Sequence, residues 1–117
     1  MGGNPFSVIA DSSIIHCKSE NSSDALNIME FSFIGPHTSI GKGCLINCHA
    51  SIHHDSKIGK FVEIAPGAKI LGGAIIDDFA FIGTNAVVFP NVRIGSDSVV
   101  GAGCMVKRDF PANFRMK

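Results

Sequence analysis

Aliphatic residues recur along this chain every six positions without a miss: Ile34, Ile40, Ile46, Ile52, Ile58, Ile64, Ile70, Ile76, Ile82, Val88, Ile94, Val100 and Val106. Two places before each stands a small side chain: Ser32, Thr38, Cys44, Ala50, Ser56, Val62, Ala68, Ala74, Ala80, Ala86, Val92, Ser98 and Cys104. A period of six does not fit the 3.6 of an α-helix, and β-branched Ile and Val favour extended backbone. On a strand, positions two apart face the same way, so the large aliphatic and its small neighbour both point inward while the remaining positions turn a corner. Three such strands make a triangular coil of eighteen residues, and coils stack about 4.8 Å apart through backbone hydrogen bonds. The pattern predicts an all-β parallel β-helix of four to five coils in one domain, regular over residues 34–106. The small residues fill the converging corners, which accounts for Cys44 and Cys104 as packed thiols.

Residues 1–33 are less regular. Ile9 and Ile15 keep the spacing of six but are out of phase with Ile34, so the polar stretch from Cys17 to Asp24 is expected to absorb the slip as a loop. Beyond Val106, residues 107–117 read as a tail leaving the last coil, with charge that protects an exposed strand edge.

Composition narrows the function. Ten Lys and Arg balance ten Asp and Glu in 117 residues, so the broad positive field that nucleic-acid binding requires is missing and no nucleic-acid partner is expected. No run approaches the ~20 apolar residues that span a bilayer, and the N-terminus has no basic start followed by an apolar block, so a cytoplasmic protein without membrane contact is expected. Cysteines at 17, 44, 48 and 104 form no C-x-x-C pair, which speaks against a zinc knuckle or a disulfide framework.

Candidate chemistry concentrates in His49-Ala50-Ser51-Ile52-His53-His54-Asp55. Ile52 points inward, so His53, His54 and Asp55 follow it around a corner. A neutral imidazole can accept a proton at pH 7, and an adjacent carboxylate can fix its tautomer. Solvated polar residues at an outward corner are the competing explanation.

The repeat pattern resembles that of the hexapeptide-repeat acyltransferases, whose coils are left-handed although the usual rule for parallel crossovers predicts the opposite hand. The segment Ile46 to Ala68 resembles in particular the bacterial sialic-acid O-acetyltransferases and UDP-4-amino-sugar N-acetyltransferases. That resemblance implies acetyl transfer from acetyl-CoA to an amino or hydroxyl group of a sugar or nucleotide sugar. It makes His54 the base, Asp55 its orienting acid and Asn47 a neighbour of the thioester. Leu71-Gly72-Gly73 matches the glycine whose N–H contacts the donor, and Gly72 lies eighteen residues after His54, one coil along the same edge. Glu63 stands where the family has a donor-contacting His, and a carboxylate accepts rather than donates unless protonated. Lys107, with Arg108, is a candidate for the phosphates of CoA. Many relatives carry an N-terminal Rossmann-like domain, which this chain is not expected to have.

Phe61 and Phe79, also eighteen apart, are expected to stack on an outer edge, as a subunit contact in preference to a wall for an acyl-pantetheine arm, and a homotrimer is expected because the His54 corner needs a second wall to exclude water. Two rival functions remain open. A metal hydratase of the γ-carbonic-anhydrase type uses the H-x-x-x-x-H spacing that His49 and His54 share, with His16 near a third position; no metal is expected on the leading reading. A non-catalytic trimeric scaffold or binding module is the other.

Overall fold

Each aliphatic of the repeat closes a two-residue strand with its side chain inward, while the residue before it faces out. The computed structural model describes residues 7–15 and 25–117. All thirteen repeat aliphatics are at most 4% exposed, and full burial of one such side chain stabilises by about 1.5–3 kcal/mol. The small column is buried with them, Cys104 alone being only partly covered. Its polar members donate across to corner carbonyls of the next coil: Thr38 Oγ1 to His53 O at 3.2 Å, Ser56 Oγ to Leu71 O at 3.0 Å and Ser98 Oγ to Pro111 O at 2.9 Å. Hydroxyls therefore occupy the corners without an unsatisfied donor.

The strands form three parallel sheets that wall a prism of 36 × 21 × 20 Å. The first sheet runs Val8–Ile9, Asn27–Ile28, Leu45–Ile46, Glu63–Ile64, Phe81–Ile82, Val99–Val100, Arg115–Met116; the second runs from Ile14–Ile15 through Phe33–Ile34, Ser51–Ile52, Lys69–Ile70 and Val87–Val88 to Met105–Val106. The third holds Ser39–Ile40, Lys57–Ile58, Ile75–Ile76 and Arg93–Ile94. Three corners link them in order, at 47–50, 53–56 and 59–62 in the coil that carries His54. Register is eighteen residues through the middle, as in Leu45↔Glu63 and Ser51↔Lys69.

The stack has about six turns rather than four to five, because both ends extend it. At the start, Val8 pairs with Asn27 and Ile14 with Phe33, a register of nineteen, so one extra residue enters between them. The stretch to which the sequence assigns this slip, with His16 and Cys17, lies outside the described residues. At the far end the chain does not leave as a tail. Phe110 bridges Ile94 and Arg115–Met116 pairs with Val99–Val100, a register of sixteen, so the corner after Val106 is two residues short and a further turn closes. Phe110 packs on the core and meets Phe114 edge to face at 4.6 Å. That apolar cover holds the last turn where the six-residue repeat has ended.

A second column escaped the sequence reading. Every sixth residue from Ala25 to Gly103 has positive φ, including Phe31, His37, His49, Asp55, Phe61 and Phe79. The left-handed conformation costs a bulky side chain about 1 kcal/mol or more, yet it is what turns each corner.

Candidate active site

His54 and Asp55 sit at the second corner, in the turn that begins once Ile52 has pointed inward. Asp55 has φ 62°, and this conformation sets its carboxylate beside the preceding imidazole: His54 Nδ1 lies 2.9 Å from Asp55 Oδ2, both side chains being exposed. The other ring nitrogen faces along the edge. A Cβ built on Gly72 would lie 2.5 Å from His54 Nε2, so only glycine leaves this ring its place. Three contacts fix the relation between the two coils. Gly73 N–H donates to His54 O at 2.9 Å, Ser56 Oγ donates to Leu71 O at 3.0 Å, and Lys69 pairs with Ser51 in the flanking strands. The N–H of Gly72 has no partner among the described residues.

A groove of about 210 Å³ runs from this pair toward the C-terminal coils, lined by His54, Asp55, Gly72, Gly73, Pro90 and Asn91. Pro90 and Asn91 are not among the residues that the sequence singles out, and Gly73 enters there only within Leu71-Gly72-Gly73. The spacing that places Gly72 also finds them, since 72 and 90 follow 54, and 73 and 91 follow 55, at steps of eighteen.

Lys107 lies on the same edge three coils along, roughly 14 Å away at the usual coil spacing, with its ammonium 5.6 Å from the Phe89 ring. Asn47 and Glu63 are elsewhere. Asn47 is at the first corner, where its Oδ1 accepts the N–H of Cys48 at 2.8 Å, and Glu63 faces outward from the first sheet. Within one chain the structure brings together His54, Asp55 and Gly72 but neither of these two. His53 is half-buried, its ring 5.6 Å from that of Phe33. Burial lowers its pKa below the ordinary 6.5, with His54 and Lys69 adding to the effect. His49 belongs to the first corner, stacked on Phe31 at 5.2 Å, so the H-x-x-x-x-H pair is split between two edges. Among the described residues no three His, Cys, Asp or Glu side chains cluster as a metal ion needs.

Residues 37–72 and 73–108 match the family of bacterial transferase hexapeptides, six repeats each. The chain belongs to the bacterial hexapeptide transferase family. GDP-perosamine N-acetyltransferase of Escherichia coli O157:H7 is 34% identical over 102 residues, 87% of this chain and 45% of that protein. PerB from Caulobacter crescentus, solved in complex with CoA and GDP-perosamine, superposes with a TM-score of 0.77 at 31% identity, over 92% of this chain and 49% of that one. WeeI from Acinetobacter baumannii AYE superposes with a TM-score of 0.89 at 31% identity, over 93% and 53%. This hexapeptide transferase chain thus spans about half the length of these relatives. Its all-β stack of hexapeptide coils is the left-handed β-helix that the resemblance implies.

Proposed function

We propose that the chain transfers the acetyl group of acetyl-CoA to the amino group of a nucleotide sugar at the second-corner edge, with His54 as general base. The observation that carries this is the orientation of His54, whose Nδ1 is engaged by Asp55 while Nε2 faces the Gly72 edge. PerB, similar over nearly the whole of this chain, binds CoA and GDP-perosamine. The acceptor nitrogen attacks the thioester carbonyl as Nε2 takes its proton. Asp55 stabilises the imidazolium, and the unpaired N–H of Gly72 donates to the tetrahedral oxyanion. Collapse breaks the C–S bond, and the imidazolium returns its proton to the leaving thiolate. No covalent enzyme intermediate is needed. The groove past Gly73 and Pro90 takes the pantetheine arm, and Lys107 lies where the phosphates of CoA follow.

The working unit on this reading is a homotrimer. Asn47 and Glu63 are carried by the first sheet and its corner, so they reach His54 only from a neighbouring copy. Phe61 and Phe79 flank that same sheet at the third corner, stacked at 5.5 Å and 48% and 56% exposed, an aromatic surface of the kind that interfaces cover. A cytoplasmic location goes with the two cytoplasmic substrates.

Mixing the protein with acetyl-CoA and a panel of nucleotide amino sugars that includes GDP-perosamine tests the reading through thiol release. Acceptor-dependent release is expected. No release with any acceptor would replace the enzyme with the non-catalytic scaffold.

A further inference from the structure

We infer that His37 is a specificity-determining residue that holds the acceptor sugar, by hydrogen bonding a ring hydroxyl close to the reacting amine. The inference rests on the acetyltransferase reading above and adds the direction from which the acceptor enters. His54 divides the second-corner edge into two halves. On the C-terminal side lie Gly72, Gly73, Pro90 and Asn91, the groove assigned to the donor. An acceptor nitrogen that meets Nε2 while the thioester fills that groove leaves the body of the sugar on the N-terminal side, where the next coil is Gly35-Pro36-His37.

His37 is placed to meet it. Asp55 N–H donates to Pro36 O at 3.1 Å, so the peptide carrying His37 lies directly beneath the catalytic pair. Close stacking is possible because residue 35 is glycine: a Cβ there would lie 2.9 Å from His54 N. His37 has φ 58°, matching the 62° of Asp55 one coil on, and its side chain is exposed. The second-corner edge therefore offers the imidazole of His54 at the reacting atom and, on the coil below, the exposed imidazole of His37, whose backbone lies one coil step of about 4.8 Å beneath that of Asp55, within the span of a pyranose ring. An imidazole hydrogen bonds a hydroxyl as donor or acceptor. Phe31 and His49, which occupy the same repeat position at the first corner, stack on each other instead.

Steady-state kinetics with the nucleotide amino sugar of the panel that supports thiol release test the role. His37→Gly removes the side chain at a position where φ is positive, so the backbone is not strained, and His37→Asn keeps a short donor and acceptor that also tolerate this conformation. The expected result for His37→Gly is a fivefold to tenfold rise in acceptor KM, with acetyl-CoA KM and kcat within about twofold of wild type, because a lost hydrogen bond of uniform binding moves KM alone. His37→Asn should recover part of the loss. An unchanged acceptor KM in His37→Gly, or donor and acceptor KM rising together, overturns the assignment while leaving acetyl transfer intact. Absence of thiol release by the wild type with every nucleotide amino sugar of the panel overturns both.

Discussion

Gly72 stands one coil along from His54 with only a hydrogen where a methyl group would lie 2.5 Å from the imidazole Nε2. The atom in the way belongs to the end of a side chain that can rotate, and the φ of Gly72 is not in the left-handed region. Gly72→Ala should therefore fold with a thermal midpoint within a few degrees of wild type, since removing a glycine also stiffens the unfolded chain. The ring must move, and a displaced base loses reach to the acceptor. A fall in kcat of at least tenfold is expected in the thiol-release assay. A normal kcat would show that Nε2 does not work over Gly72.

Substitution of His54, the base we propose, separates chemistry from binding. His54→Ala should lower kcat by roughly 10²–10⁴ with little change in acetyl-CoA KM, because proton transfer occurs only during reaction. Asp55→Asn, which tolerates the same positive φ, should lose less. His53→Ala is the control beside it. Its ring packs on Phe33 away from the groove, so its kcat should stay within a few-fold of wild type.

His53 should instead be visible in stability. Burial lowers its folded pKa below 6.5, so between that depressed value and 6.5 the unfolded chain binds more protons than the folded one. Stability then rises with pH through this window, is complete above about 6.5, and is lost as pH falls. Thermal midpoints measured from pH 7.5 down to 5 should drop more steeply for the wild type than for His53→Gln. Parallel curves would remove His53 as a contributor.

Much of this molecule was legible because its interior is periodic. Ile34 to Val106 and their small partners follow from spacing alone, and a step of eighteen sets Gly72 over His54. The positive-φ column is less legible because it runs in a second phase, three residues after the aliphatics, and is filled by residues as unlike as Phe, His, Asp and Gly; Gly43, Gly67, Asn85, Asn91 and Gly103 are its signal. The last turn was missed for a different reason. Two residues dropped after Val106 break the period, and the stack continues through the packing of Phe110 and the pairing of Arg115–Met116 with Val99–Val100. Asn47 and Glu63 were legible as motif positions but not as places, since they face away from His54 in their own chain.

Two cysteines offer a check on burial. Desolvation pushes the Cys44 thiol up to about 11, whereas Cys48 is only partly buried at the first corner. Thiolate is the reactive form. Labelling with iodoacetamide at pH 8, followed by peptide mass mapping, should modify Cys48 well before Cys44. Equal rates would mean that the coil around Cys44 opens readily.

Whether two chains share one site can be decided by mixing damaged copies. His54→Ala lacks the base, and Asn47→Ala lacks an amide at the first corner, where in its own chain Asn47 caps only Cys48 N–H. If each site in a cyclic trimer takes His54 from one copy and Asn47 from its neighbour, co-refolding the two inactive variants in equal amounts leaves about a quarter of the sites with both residues intact, since each site draws its two halves independently. Activity near a quarter of wild type is therefore expected from the mixture, against almost none from either parent, and sedimentation should report three chains per particle throughout. Replacing Phe61 and Phe79 by Ser in both variants should abolish this rescue and shift the particle toward monomer, because the exposed aromatic stack no longer favours burial. A mixture no more active than its parents, in particles that remain trimeric and exchange subunits, would place Asn47 outside the site of its neighbour and return the catalytic unit to the edge of a single chain.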